Sequence, residues 1–456
     1  MHVAVIGTGL SGVATACQLL QRLPAGSRLT LFNASGAMAR GLAYGTQSDA
    51  HVLNVPAARM SLYPGAPGHF VAWARRHDAT VAESDFVSRR LYGDYLQACL
   101  DEAVRSRPDI EVATHVTRVS RLEAKADGRH RVWASGVVLE CQHVVLALGH
   151  FAPRPPHQAL ADLPAKVYAN DPWSPQTLEG LAPDAAVALI GTGLTMLDVL
   201  LSLRQRGHRG QVLALSRRGM LPLGHRDNEL PPPTWRISPS LISITMPLRA
   251  LLREFRGEVQ RARKLGHDWR DVWGAFRSAT PAAWGQLSEQ ERRQFLRHLQ
   301  PYWDVHRHRA APSAIDALNA AVDRGQLTVR AGRVLDASST GIKLDLPWQP
   351  RGTSEVKVFA ADRVINCSGP GSSITEKSSS LLWGLHQQGR LRRCPLGLGL
   401  EVDIQHRVLD AQGRPQAGLY YVGPLLKAQY WEATAVPELR VHAEQVAAAC
   451  TGSEAQ

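Results

Sequence analysis

The stretch Met1–Gly12, M-H-V-A-V-I-G-T-G-L-S-G, decides the fold. Val3–Ile6 is a short all-apolar run, the pattern of a parallel strand buried on both faces. It runs into Gly7, Gly9 and Gly12 at the G-x-G-x-x-G spacing and then into the helical pattern Val13–Leu20. In such a turn the first glycine makes the tight bend and the second lets the backbone approach a pyrophosphate. The third lets the helix pack closely on the strand. The helix start, Leu10 and Ser11, offers unpaired N–H groups and the positive end of the helix dipole. With a strand before and a helix after, the expectation is a dinucleotide site; the alternative is a glycine-rich turn with no ligand. Arg28–Asn33 reads as the second strand of the same unit. Its Asn33 stands where an acidic residue usually holds a ribose, and hydrogen-bonds there without charge.

The 456 residues are enough for two or three domains, and the 44% hydrophobic and 20% charged content is that of a globular protein. The folding pattern starts at residue 3, which leaves no room for a signal peptide, and no apolar run reaches membrane-spanning length, so a cytoplasmic protein is expected. Cys17, Cys99, Cys141, Cys367, Cys394 and Cys450 are scattered with no C-x-x-C pair. That spacing argues against a metal site and against a dithiol redox centre. The net charge of +12 comes from arginine spread along the chain, as in Arg253–Arg263 and Arg292–Arg309. No nucleic-acid motif accompanies it, so attraction of anionic cofactors and an anionic small substrate is the economical reading. A coding bias towards arginine is the bland one.

The second landmark is Ala186–Asp198, A-V-A-L-I-G-T-G-L-T-M-L-D, where strand, glycine turn and helix recur. Gly191 and Gly193 hold the first two glycine positions, Leu194 and Thr195 open the helix, and Met196 replaces the third glycine. The next strand, Gln211–Ser216, ends in Ser216-Arg217-Arg218, about where a ribose 2′ position lies. Serine and arginine there suit a 2′-phosphate, hence NADPH over NADH; a basic surface turn is the alternative. Two dinucleotide units in one chain are most simply FAD, carried permanently, and the nicotinamide that reduces it.

Between these landmarks, Gly41–Thr46 and His51–Ser61 read as irregular crevice loops, with Asn54, Arg59, Met60 and Ser61 as candidates to face a cofactor. Phe70–Arg76 and Leu91–Val104 look helical; Glu111–Val119, Arg131–Ala134 and Val137–Glu140 look like strands. The apolar strands at 144–149, 362–370 and 418–423 end on Gly149, Gly369 and Gly423. Residues 225–321 form a mostly helical, arginine-rich insertion opened by the loop Asp227–Pro233, with a capping box at Ser288–Glu291. Its W-D-V-H-R-H-R run carries His306, Arg307 and Arg309, which either bind an anion and move protons or form a solvated helix face. The fold class is therefore α/β: two nested Rossmann-like domains, one for FAD (1–155 and 330–456) and one for NADPH (156–329).

The motifs V-I-G-T-G-L-S-G (5–12), G-L-A-Y (41–44), H-V-L-N-V-P-A-A-R-M-S (51–61), I-G-T-G-L-T-M-L-D (190–198), S-R-R-G (216–219), W-D-V-H-R-H-R (303–309) and W-E-A-T-A-V-P-E-L-R (431–440) span nearly the whole chain. In these the chain resembles the FAD/NAD(P)-binding proteins related to flavin-dependent N-hydroxylating and Baeyer–Villiger monooxygenases. The resemblance implies FAD at Gly7, Gly9 and Gly12, NADPH at Gly191, Gly193 and Arg217, and the flavin's ribityl side at Gly423, with Trp431 nearby. It implies NADPH-driven transfer of oxygen to a nitrogen or sulfur of an amino-acid-like substrate. The usual F-x-G-x-x-x-H signature is absent; Leu163–Trp173, L-P-A-K-V-Y-A-N-D-P-W, stands in its place. A flavin reductase that inserts no oxygen, and a non-catalytic flavin-bearing subunit, are the alternatives. Oligomeric state has no signal in the sequence.

Overall fold

The computed structural model describes residues 1–226, 235–243, 246–335, 338–339 and 344–452. The loop expected at Asp227–Pro233 lies outside the described residues. The first sheet runs, in spatial order, 407–409, 415–421, 143–146, 2–6, 28–32, 111–115, and it is parallel except at the 407–409 edge. The second has at its centre 327–334, 212–216, 187–190, 363–366 and 168–169, all parallel. An antiparallel flap, 344–350 with 357–361, continues it beyond 327–334. A separate three-stranded antiparallel sheet holds 119–124, 130–134 and 137–141.

The two main sheets repeat one plan. Strand Val187–Ile190 lies between Arg363–Asn366 and Val212–Ser216 as His2–Ile6 lies between His143–Leu146 and Arg28–Phe32. These central strands are short and apolar because both faces are covered by helices. Val3, Ala4, Val5, Val187 and Leu189 are fully buried. Leu10–Arg22 packs against the last helix, Val436–Thr451, so the chain's two ends close the first domain's core together.

Three expectations are corrected. Residues 327–366 pair with the second sheet, so the second domain extends well past 330. The reason is parallel order: strand Arg363–Asn366 is the neighbour that Val187–Ile190 requires on its free side. The run Glu111–Val119 is not one strand; it breaks after His115, and Val119–Ala124 joins the antiparallel sheet instead. The crevice loops are less irregular than their composition suggests, since Gly41–Tyr44 makes one helical turn and Ala57–Arg59 a 3-10 turn. The capping box at Ser288 forms, with Ser288 and Glu291 each bonding the other's backbone N–H at the start of Glu289–His298.

The domains are fastened by polar contacts. Arg89, at the start of helix Arg89–Arg105, pairs with buried Asp198 of helix Leu194–Gln205 at 2.9 Å and lies over the Trp173 ring. His51 reaches the same helix at Ser202 Oγ, 2.7 Å away, and His225 Nε2 meets the Asn54 carbonyl at 3.0 Å.

Candidate active site

The two glycine turns are near-copies. Gly7 has φ +101° and Gly191 φ +119°, a backbone region that L side chains rarely adopt. A Cβ on Gly7 would stand 2.2 Å from the Ala147 carbonyl oxygen; one on Gly191 would stand 2.2 Å from that of Cys367. Each turn is thus pressed against the end of the neighbouring parallel strand. Gly12 is excluded from change by a different contact, its would-be Cβ lying 1.9 Å from the Gly7 oxygen. Met196 carries a real side chain at the matching position, buried in the second core, so that close approach is not repeated.

The second glycine of each turn caps its helix in extended conformation, Gly9 at φ −76° and Gly193 at φ −89°. Neither cap has a side chain bonded to it, which leaves the first-turn N–H groups of Leu10, Ser11, Leu194 and Thr195 facing outward. A Cβ on Gly193 would meet nothing within 4 Å. Gly9 is more enclosed, since a Cβ there would lie 3.4 Å from the Gly41 Cα. Both cradles fit a dinucleotide pyrophosphate: space, open N–H groups and a helix dipole coincide.

The remaining cofactor candidates divide. Asn33 is buried, and its Oδ1 accepts from the Ser35 N–H at 2.8 Å and Ser35 Oγ at 2.9 Å, while its amide faces Met38. It shapes the strand-end turn more than it reaches outward. Met60 lies in the first core, and buried Ser61 donates to the carbonyls of Tyr63 and Ala66, so neither side chain faces the crevice. Gly149 and Gly369, at φ +70° and φ +92°, turn the chain at the ends of adjacent units with open space beside them. Gly423, at φ +138°, is where strand Pro415–Tyr421 leaves the sheet. Ser216 Oγ is held by Thr192 Oγ1 and the Gly219 N–H. Arg217 is exposed, whereas Arg218 lies over the Tyr302 ring and donates to the Arg297 carbonyl. Of the two, Arg217 is free to meet a phosphate.

The insertion docks on the C-terminal return of the chain. Arg307 is not an open anion site: it makes two bonds, 2.7 and 2.8 Å, to buried Glu432. Arg277 pairs with Glu438 in the same way, and Trp284 Nε1 donates to the Ala428 carbonyl. Trp431 is buried with its ring stacked on Trp284, 4.6 Å between centroids, so it belongs to this docking surface. His306 stacks on Trp273 and its Nδ1 meets the Tyr302 carbonyl at 2.7 Å, an aromatic setting rather than a solvated face.

Arg309 is different. Its burial, followed by the fields of Arg307, Arg270, Arg59 and Arg226, pulls its guanidinium down to about 10. Arg226 is taken by Asp271 and Arg270 by Asp268. Among the described residues no carboxylate pairs with Arg309, and its buried Nε has no hydrogen-bond partner. Arg59 is exposed and makes no ion pair among the described residues. The same field, after burial, takes His225 down to about 3, which fixes it as the neutral donor to the Asn54 carbonyl. Asn54, Arg59, His225 and Arg309 thus converge on a crevice whose positive charge meets no paired carboxylate at Arg59 or Arg309 among the described residues. Sequence reading missed His225, Arg270 and Arg226, because nothing in their spacing connects them to residue 59.

A family model described as FAD-NAD(P)-binding matches residues 4–151. A comparison with curated proteins finds no match. Among solved structures the chain is similar to L-lysine 6-monooxygenase from Pseudomonas syringae, with TM-score 0.68, 16% identity and 98% of each chain covered. It is also similar to ornithine hydroxylase PvdA from Pseudomonas aeruginosa (TM-score 0.64, 18% identity, 99% of this chain and 98% of that one). A third is the ornithine N-hydroxylase KtzI from Kutzneria sp. 744, with TM-score 0.62, 15% identity and 98% of each chain covered. At such identities the likeness establishes the fold. No helix among the described residues is long and apolar enough to cross a membrane. Residues 4–151 therefore resemble an FAD-NAD(P)-binding domain, in a chain that shares the overall fold of these three solved enzymes.

Proposed function

We propose that the chain is an FAD-dependent, NADPH-using monooxygenase that oxygenates a nitrogen of a small anionic, amino-acid-like substrate. The observation that carries the substrate class is Arg309, whose buried Nε has no hydrogen-bond partner among the described residues, together with Arg59, in the crevice beside Asn54. Bound FAD, reduced by NADPH, supplies the redox chemistry. Gly7, Gly9 and Gly12 hold the first nucleotide, and Gly191 and Gly193 the second, with Arg217 on its 2′-phosphate. Arg309 and Arg59 orient the substrate's carboxylate. The Arg307–Glu432 pair keeps the insertion seated over the crevice and water out of it.

The six cysteines are all buried, which leaves no exposed thiol to relay electrons to a disulfide and supports oxygenation over disulfide reduction. One observation favours electron transfer without oxygen insertion. Asn170 is committed to Asn366 and the Pro153 carbonyl, and Trp173 to His51 and Arg89, so the 163–173 linker serves packing. The test is substrate-stimulated NADPH oxidation across a panel of amino acids, with product scored as hydroxylamine. Arg309→Met should raise the substrate KM about 10- to 100-fold, the loss expected for a charge-assisted contact, with a smaller effect on kcat. NADPH consumption with no oxygenated product from any amine would move the assignment to a reductase.

A further inference from the structure

Helices of the insertion, with Trp431 of the C-terminal return, line a cavity of about 560 Å³, within the roughly 300–1,000 Å³ span of small-molecule sites. Its walls are almost wholly apolar, among them Phe255, Val259, Trp269, Trp273, Trp303 and Trp431. One wall is helix Leu248–Lys264, whose inward residues Leu251, Leu252, Phe255 and Val259 remain only half-buried. They have the spacing of a core-facing stripe, and although Phe255 meets Trp273 and Phe276 edge-on, all four keep part of their surface open to the cavity. Helix Thr280–Gln286 also contributes to the lining, through Ala283 and Trp284. An apolar void of this size forfeits contacts on every side chain that lines it.

The cavity shares a wall with the arginine crevice. The Trp269 ring lines it, and the guanidiniums of Arg270 and Arg309 lie 4.5 and 5.8 Å from that ring's centre. His306, three residues before Arg309, also lines it, stacked on Trp273. A molecule lodged among these rings has the Arg309 guanidinium, which pairs with no carboxylate among the described residues, within one indole's width. We propose that the cavity is the apolar half of the substrate site, taking an aromatic or branched aliphatic group of the molecule whose anionic end meets Arg309. This rests on the crevice being the substrate site. The walls also bear on size: a straight three-methylene chain, as in ornithine, leaves most of the volume unfilled, whereas an aryl group meets the tryptophan edges at stacking distance. The substrate is therefore a bulkier and more apolar amino acid or aryl carboxylate.

Five of the chain's eleven tryptophans line the cavity, so occupancy is read as quenching of their fluorescence. Flavin-loaded protein is titrated with anilinonaphthalene sulfonate, an anion carrying two aromatic units, without NADPH. Saturable one-to-one quenching is expected, displaced by arylacetates or tryptophan and not by ornithine. Val259→Trp and Ala283→Phe fill the cavity from two different helices, and each should weaken the probe about 10-fold or more while flavin absorbance and circular dichroism are retained. If one variant does not fold, the other and the competition series on the unaltered protein still decide. Absence of saturable binding, ornithine competing as well as arylacetates, or binding indifferent to both fillings would overturn the proposal. Because the titration uses neither NADPH nor oxygen, its failure is separable from failure of the monooxygenase reading.

Discussion

Alanine at Gly193 and alanine at Gly191 should have opposite consequences, although the residues are two apart. At Gly191 the backbone has φ +119°, and a Cβ would lie 2.2 Å from the Cys367 oxygen and 2.5 Å from its carbon, both backbone atoms that cannot swing aside. Strain of about 1–3 kcal/mol from the backbone and a similar overpacking cost are a large share of a domain's about 5–15 kcal/mol. At Gly193 φ is −89°, ordinary for any residue, and the Cβ meets nothing within 4 Å. Gly193→Ala should therefore leave stability within about 1 kcal/mol. The same Cβ, however, stands where a pyrophosphate would contact the helix N–H groups. Losing one charge-assisted bond of about 1.5–3 kcal/mol raises the NADPH KM about 10- to 100-fold. Thermal melting of both variants, with NADPH KM measured in flavin reduction, tests this. Gly193→Ala melting as early as Gly191→Ala, or binding NADPH normally, would refute the reading of that space as a ligand cradle.

Arg217→Ala should raise the KM for NADPH about 10-fold and spare NADH, while Arg218→Ala, whose side chain is already engaged by Tyr302 and the Arg297 carbonyl, should change the ratio little; steady-state kinetics with both nucleotides decide. Arg89→Met leaves Asp198 buried without its partner and should destabilise the protein by about 3–5 kcal/mol, read as a lowered denaturation midpoint. Stability should also fall in mild acid. His442 is buried, and burial, then the neighbouring His406, takes it down to about 3. Between the unfolded value near 6.5 and that value, the unfolded chain binds a proton that the folded one does not. The contribution is intact above about pH 6.5 and declines by about 1.4 kcal/mol per unit as pH falls. Denaturant titrations from pH 7 to 5 should show this slope, reduced by about one proton in His442→Phe.

The dinucleotide units were legible because local rules write them: apolar strand, glycine turn and helix lie within about twenty consecutive residues, and steric limits at Gly7, Gly12 and Gly191 restrict those positions to glycine. The strand-end turn Ser216-Arg217-Arg218 was legible for the same reason, but from spacing alone Arg217 and Arg218 had equal standing. Only packing against Tyr302 separates them. The W-D-V-H-R-H-R run shows where locality ends. It drew attention to His306, Arg307 and Arg309, yet Arg307 is spent on Glu432 and His306 on Trp273, and only Arg309 of the three keeps a buried nitrogen with no hydrogen-bond partner among the described residues. Those partners lie more than thirty residues away and answer to no short spacing. Strand Leu344–Pro350 escaped notice because its prolines obscure the alternation, and the second domain's true extent went with it.

The most direct test of the central claim mixes oxygen with the NADPH-reduced, FAD-loaded protein and follows the visible spectrum in time, with and without amine. The account predicts a species distinct from both reduced and oxidised flavin that persists alone and is consumed faster when a nitrogen substrate is present. A protein that takes up no FAD, or a direct return to oxidised flavin at a rate unaltered by any amine, would contradict it.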